Sequence, residues 1–414
     1  MNTVNEHVMS SMINREKGHT GSGTDWFSVI VLTVAAIVFV TAELLPVGII
    51  PEISMSFNES IGKVGLMVTG YAWTVAASAV LITAWLAPLE RRTLLLIITL
   101  LFAAANLLVA CSASLYWLFF ARIIGAFSHG VFWSSVGPLC VRLSNSSSKA
   151  RITAFVFGGI AIATVIAVPA GTLLAQWLGW RYAFGSIALT SFMIAAAVAL
   201  RFPVLRSESR SNLHQLPVLL RHPLIRRLCP ATALALTGHF CAFTYISPLL
   251  EKNIGIAYDH LAVYLFLFGA AGVAGNVLAG MLKDHQLRRA AQGIMAAMAT
   301  VIILCACIPM YSYLIAALLM IVWGAGICLL TVALQSLILT LPSGLTDAAS
   351  AMYVTMFNTG IGGGALLGGL LVDHMPTSSV AWTGGAVLLL AAIVIGLPIK
   401  SYQPVTILTN TETD

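Results

Sequence analysis

Charge is scarce in this chain of 414 residues: Asp, Glu, Lys and Arg together make up 9%, against 59% hydrophobic residues. That balance leaves too little polar surface to keep a soluble domain of this size dispersed, so an aqueous globular fold is excluded. Catalytic signatures are missing as well. The sequence holds no GxSxG, HExxH or phosphate-binding GxxxxGK, and no acidic pair inside one apolar stretch, which argues against a membrane enzyme. Cysteines number seven. Cys111, Cys140, Cys241, Cys305, Cys307 and Cys328 lie within or at the ends of apolar stretches and Cys229 lies near the inner face, so they read as small apolar filler. Cys305 and Cys307 are separated by one residue and have no companion His, so neither a metal site nor a cofactor is expected. Residues 1–26 lack the short apolar core and small-residue cleavage site of a signal peptide, so the first apolar stretch is expected to stay as a helix.

Long apolar runs are what the chain does have. A helix needs roughly 20 apolar residues to cross about 30 Å of hydrocarbon, and twelve stretches qualify: 27–50, 62–87, 94–111, 115–141, 152–176, 183–202, 225–250, 261–281, 291–309, 311–340, 347–372 and 380–398. They are too long, and too uniformly apolar, to be barrel strands. The expected fold is an all-α membrane protein of twelve transmembrane helices.

Basic residues set the orientation, because Lys and Arg in short loops stay on the cytoplasmic side. With a cytoplasmic N-terminus, seventeen of the twenty-one Lys and Arg fall inside, and only Lys63, Arg181 and Lys252 fall outside. The net charge of +6 is thereby a topology signal and calls for no nucleic acid. The chain divides into a cytoplasmic tail (1–26), six helices (27–202), a basic linker (203–224), six more helices (225–398) and a second cytoplasmic tail (399–414). In the linker, Leu213, Leu216, Leu219 and Leu220 are separated by polar residues, which suits either a helix on the membrane surface or a simple tether. The halves repeat weakly: Arg91-Arg92 recurs as Arg288-Arg289 and Pro51 as Pro248, each 197 residues on. Two pseudo-symmetric six-helix bundles with a ligand site between them are the architecture of a rocking secondary transporter.

Several stretches carry a resemblance. "ARIIGAFSHGVFWSSVGPLCVRL" followed by "VPAGTLLAQWLGWRYAF", together with "TAELLPVGIIPEI", "TGHFCAFTYISPLL" and "FNTGIGGGALLGGLLVD", resembles the major facilitator superfamily, in its sugar efflux and arabinose-efflux-like branch among the drug/proton antiporters. The similarity runs over residues 25–400. It departs from the wider family after the second stretch, where "AWLAPLERRTLLL" lacks the usual Gly and Asp, although the sugar efflux branch is similar in having Glu-Arg-Arg there. The second copy, Gly280, Asp284, Arg288 and Arg289, is nearer the family pattern. In the fifth stretch Ala163 and Ala167 stand where the antiporter motif usually has glycines, before Pro169 and Gly171. The resemblance implies efflux of sugars or similar small neutral solutes by a proton-coupled, monomeric transporter in a bacterial cell inner membrane; a multidrug or nucleoside exporter of the same fold is the alternative.

Two charges sit inside the apolar stretches, Glu43 and Arg122. An ionised group in the bilayer core costs at least about 2.5–3.5 kcal/mol and marks a functional site. Counting about 1.5 Å per residue puts both roughly 10 Å from the outer face, where they can pair. A neighbouring guanidinium favours a carboxylate and desolvation disfavours it, so Glu43 with Arg122 is a candidate proton-coupling pair, the alternative being a permanent ion pair holding two helices together. Candidate substrate contacts are Tyr71, His129, Trp133, His239, Tyr245, Asn276, Gln335 and Asn358. His129 and Trp133 share a helical face with Arg122, and Tyr245 follows His239 by six on a broader face. Amides and hydroxyls suit a neutral polyhydroxylated ligand, and Trp133 suits the apolar face of a sugar. The same polar groups also serve as glue between membrane helices, and either histidine could act as a proton relay.

Overall fold

The structure, a computed structural model, describes residues 25–86, 89–143, 149–205, 216–307, 310–341 and 343–398. Among them every regular element is helical. The first half comprises α1 (Trp26–Phe57), α2 (Ile61–Leu86), α3 (Arg91–Ala110), α4 (Leu115–Arg142), α5 (Lys149–Ile162), a π-helical turn (Ala163–Ala167) leading into α6 (Val168–Leu178), and α7 (Trp180–Arg201). After the linker helix α8 (Leu216–Arg221) come α9 (Ile225–Phe243), α10 (Ile246–Leu249), α11 (Leu261–Ala279), α12 (Leu287–Cys307), α13 (Tyr313–Leu339), α14 (Ser343–His374) and α15 (Ser379–Gly396). Ten helices among the described residues are long and apolar enough to cross a membrane, and the bent pair Ile225–Phe243 and Ile246–Ile254 makes an eleventh. Helix α2, 26 residues with Lys63 as its one charge, stands in the remaining place of the expected twelve.

Backbone polar groups are satisfied within each helix, as hydrocarbon requires. The Thr33, Thr41, Thr99 and Ser191 hydroxyls donate to carbonyls four residues back along their own helices. Asp25 caps α1 by accepting from Ser28 N at 3.3 Å, and Asn58 ends it in the left-handed region at φ 52°.

The packing of the first six spans is repeated by the second six. In the first half α1 packs on α5 and α7, α3 on α7 and α4, and α2 on α4; in the second, α9 packs on α14 and α15, α12 on α15 and α13, and α11 on α13. The halves meet along two seams that are themselves related by the repeat, α2 with α14 and the α5–α6 π turn with α11. Close approach there needs glycine. A side chain at Gly269 would place its Cβ 2.4 Å from the Thr164 carbonyl, backbone against backbone. Hydrogen bonds join the halves at the distal end, remote from both chain termini: Ser60 Oγ and Gly62 N donate to the Asp373 carboxylate at 2.6 and 2.8 Å, Gln176 Nε2 to the Tyr258 carbonyl at 2.7 Å, and Ser247 Oγ to the Val47 carbonyl at 2.8 Å.

Of the linker, the described part packs inward: α8 lies on α9 and α14, with Leu219 fully buried and Leu220 exposed. Leu213 lies outside the described residues. One expectation needs correction: the seventh span is not continuous. It bends by 53° between α9 and α10, because the Pro248 ring occupies the space of the Thr244 carbonyl four residues back and offers no N–H. Tyr245 is therefore turned away from His239.

The loop after α2 shows what stands in for the missing Asp. Glu90 caps α3, accepting from Arg92 N at 2.8 Å, Thr93 N at 3.0 Å and Thr93 Oγ1 at 2.8 Å, and also from Leu205 N at 3.0 Å, where the chain leaves α7. Burial opposes its charge, but these hydrogen bonds outweigh burial and hold the carboxyl below the usual carboxylate range. Stability from a depressed pKa is present above the unfolded value and lost as pH falls through the folded one. Glu90→Ala is expected to cost about 1 kcal/mol in thermal unfolding of the detergent-solubilised protein near neutral pH, with the difference from wild type shrinking in acid. Gly269→Ala should force the α11 seam apart at about 1–3 kcal/mol. Spin labels at Met55 and Met375 of a cysteine-free background should then show a longer distance population, whereas Gly70→Ala, with nothing within 4 Å of the added Cβ, should not.

Candidate functional site

Three helices of the first half, α1, α2 and α4, deliver polar side chains to one buried cluster. Arg122 on α4 donates from Nη1 to the Ala42 carbonyl of α1 at 2.7 Å, and its guanidinium carbon lies 4.0 Å from the centre of the Tyr71 ring on α2. Its Nε and Nη2 have no hydrogen-bond partner. His129, two turns further along α4, sets Nδ1 2.8 Å from Tyr71 Oη and Nε2 3.5 Å from Glu43 Oε2. The ring also lies 5.7 Å from the Phe39 ring, one turn before Glu43. Phe39 is itself stacked between Phe102 of α3 and Phe132 of α4, at 3.9 and 4.3 Å, which fixes the α1 face that carries the carboxylate.

Glu43 and Arg122 are thus brought to one level and into one cluster, but they do not form the expected ion pair. The reason is local: the guanidinium is engaged by the Ala42 carbonyl and the Tyr71 ring, and the nearest basic nitrogen to the carboxylate is that of His129. Tyr71 and His129 bond each other and belong with Glu43. Trp133 continues the stripe, half-buried, with its ring 6.2 Å from His129 and 5.6 Å from Phe157.

The second half answers with aromatics. His239 on α9 accepts from Trp323 Nε1 of α13 at 2.9 Å, and its ring is stacked on Phe243 at 5.0 Å and near-parallel to Phe268 of α11 at 6.3 Å. Phe243 and Phe268 also line a narrow cleft between the halves, with Leu44, Val47, Thr164, Val168 and Leu265.

The sequence profile of the Major Facilitator Superfamily matches residues 31–358. The chain belongs to the Major Facilitator Superfamily. It is accordingly a multi-pass membrane transporter of a small-molecule substrate and not an enzyme. Solved structures of the same fold include a D-xylose-proton symporter (TM-score 0.71, 17% identity, covering 91% of this chain and 99% of that one), the nucleoside transporter NupG (0.74, 11%, 89% and 98%) and a bacterial homolog of the human lysosomal transporter Spinster in an inward-facing, occupied conformation (0.70, 13%, 90% and 94%).

Within this Major Facilitator fold the remaining sequence candidates do not converge on one cavity. Tyr245 Oη donates to the Ala365 carbonyl of α14 at 2.7 Å, wedged between α2 and α14 where a Cβ at Gly65 would lie 2.0 Å from its oxygen. Gln335 Nε2 meets Ser350 Oγ at 3.5 Å, Asn358 Nδ2 donates to the Val354 carbonyl at 3.0 Å, and Asn276 is exposed on α11. Residues that sequence reasoning missed are Trp323, Phe243, Phe268 and Asp373. The repeat contains a signal for one of them, since Phe268 lies 197 residues after Tyr71. Asp373 could not be found that way: its carboxylate caps α2 across the seam, a helix-end contact that no spacing within one half reveals.

Removing that cap should loosen the distal seal. Asp373→Ala deletes two charge-assisted hydrogen bonds, each worth about 1.5–3 kcal/mol. The expected result is faster labelling of a cysteine placed at Tyr71 or Thr69 by a membrane-impermeant maleimide from the distal side; an unchanged rate would show that the seal does not depend on Asp373.

Proposed function

We propose that this protein is a proton-coupled secondary transporter that exports small neutral solutes, sugars and their analogues first, by alternating access. Residues 27–202 and 225–398 are the two bodies that rock, joined by the linker at 203–224. Both termini face the cytoplasm of a bacterial inner membrane, as the distribution of Lys and Arg favours, and the monomer is the working unit. The observation that carries the reading is Glu43: a carboxylate at membrane depth, partly exposed, 3.5 Å from a histidine and one residue from a carbonyl bonded to the Arg122 guanidinium. An intramembrane carboxylate with such partners is the usual form of a proton site. The seal at the distal end supports an arrangement closed on the outer side, from which a solute enters from the cytoplasm. Export and sugar as cargo rest on the resemblance in sequence. The proton and sugar belonging to the xylose symporter are properties of that protein and serve here as precedent for the fold.

A second reading, a nucleoside or multidrug exporter, is favoured by one observation: the cleft between the halves is walled by Leu44, Val47, Val168, Phe243, Leu265 and Phe268, which suits a flat or apolar solute better than a polyol.

Inverted vesicles with an imposed proton gradient, challenged with a panel of sugars, nucleosides and cationic drugs, discriminate these cargoes. In the same vesicles Glu43→Gln is expected to lower gradient-driven transport relative to counterflow by about 100-fold, the scale of losing a proton-transfer group. Gradient-driven transport equal to wild type in that variant would overturn proton coupling at Glu43.

A further inference from the structure

The contacts of His129 place it between two groups that exchange hydrogen bonds through it. Its Nδ1 faces Tyr71 at 2.8 Å and its Nε2 faces Glu43 at 3.5 Å, and the residue is 2% exposed. An ionised carboxylate only accepts, so facing Glu43 places the ring hydrogen of neutral His129 on Nε2. Nδ1 is then an acceptor and the Tyr71 hydroxyl its donor. Neutral imidazole has a second arrangement with the hydrogen on Nδ1, and there Nε2 accepts from a protonated Glu43.

We infer that protons reach and leave Glu43 through the first six-helix bundle, along Tyr71 and His129, by a change of histidine tautomer. This rests on the reading that Glu43 is the proton-coupling carboxylate. In the loading direction the His129 Nε2–H bond breaks as the Glu43 O–H bond forms, the Tyr71 O–H bond breaks as Nδ1–H forms, and a hydronium gives Tyr71 oxygen a new hydrogen, leaving water. One proton enters and one carboxylate is neutralised. Neither end state holds a tyrosinate, nor an imidazolium, which the nearby Arg122 guanidinium, 4.0 Å from the Tyr71 ring, would repel. The titratable groups around the ring are Glu43 from α1, Tyr71 from α2 and Arg122 on α4 itself; α3 contributes Phe102 through its stacking on Phe39.

The entrance has a place in the fold. A narrow cleft between α2, α3 and α4 is lined by Tyr71, Asn106 and Arg122, in the distal half of the bundle. It has no room for a water molecule in this conformation, so the relay is shut here. The path is separate from the cleft between the halves, where Leu44 and Val47 face Phe243 and Phe268.

The test needs no solute. Purified protein in lipid is subjected to a pH jump, and the carboxylic C=O stretch of protonated Glu43 is followed by time-resolved infrared difference spectroscopy, with Glu43→Gln assigning the band. Tyr71→Phe keeps the ring and removes the relaying oxygen; His129→Gln keeps hydrogen bonding and removes tautomerism. Both are expected to slow the appearance of the band by about 100-fold without abolishing its final amplitude. Wild-type kinetics in Tyr71→Phe would overturn the relay while leaving the coupling reading intact. Absence of a Glu43 band in the wild-type protein would instead overturn the coupling reading and the relay with it. Circular dichroism and elution volume of each variant confirm that a slowed band is not a folding defect.

Discussion

Hydrocarbon offers neither donors nor acceptors, so each polar atom placed at membrane depth must find its partner within the chain. The Thr33, Thr41, Thr99 and Ser191 hydroxyls do so along their own helices, which makes them cheap to include. Arg122 does so by reaching across to the Ala42 carbonyl, and that one bond fixes the level of α4 against α1. The placement of Glu43 opposite His129, and of Tyr71 under the guanidinium, follows from that level. The aromatic stack of Phe39 with Phe102 and Phe132 holds the same helices from the apolar side. Charge and packing therefore specify a single register for α1, α3 and α4.

The two halves share a packing scheme and differ in chemistry. Where α1, α2 and α4 of the first half bring together a carboxylate, a phenol, a guanidinium and an imidazole, the corresponding α9, α11 and α13 bring together an imidazole and three large aromatic rings. Phe268 stands at the repeat position of Tyr71, and His239 beside that of Glu43. One half thus concentrates titratable side chains, and the other offers an apolar wall toward the shared cleft. In the transport cycle proposed above, such a division would let the driving ion and the solute be held by different bodies.

Much of the fold is legible in the sequence, because apolar runs of membrane length are a one-dimensional property. The members of the polar cluster are legible for a related reason: Glu43 and Arg122 stand out against their apolar neighbours, and His129 shares the face of Arg122. Their partners are not legible. Helical periodicity gives the face of a residue but not which atom of a neighbouring helix will claim it, so the Ala42 carbonyl takes the guanidinium that spacing assigned to Glu43. Tyr245 illustrates the other limit. Counting six residues from His239 assumes a straight helix, and Pro248 makes that assumption fail, although the proline itself is visible in the chain. Asn276, Gln335 and Asn358 were polar in composition and local in effect, each bonded close to home or turned outward.

The polar inventory of the bundle has an electrical consequence. Glu43 has no acidic counterpart at the matching place in the second half, where Phe240 follows His239. In the proton-coupled cycle proposed above, that one carboxylate exchanging one proton for each uncharged solute would displace one elementary charge per turnover. Membrane voltage would then add to the driving force, about 2.3 kcal/mol for each 100 mV, and accumulation ratios would respond to potential even where no pH difference exists.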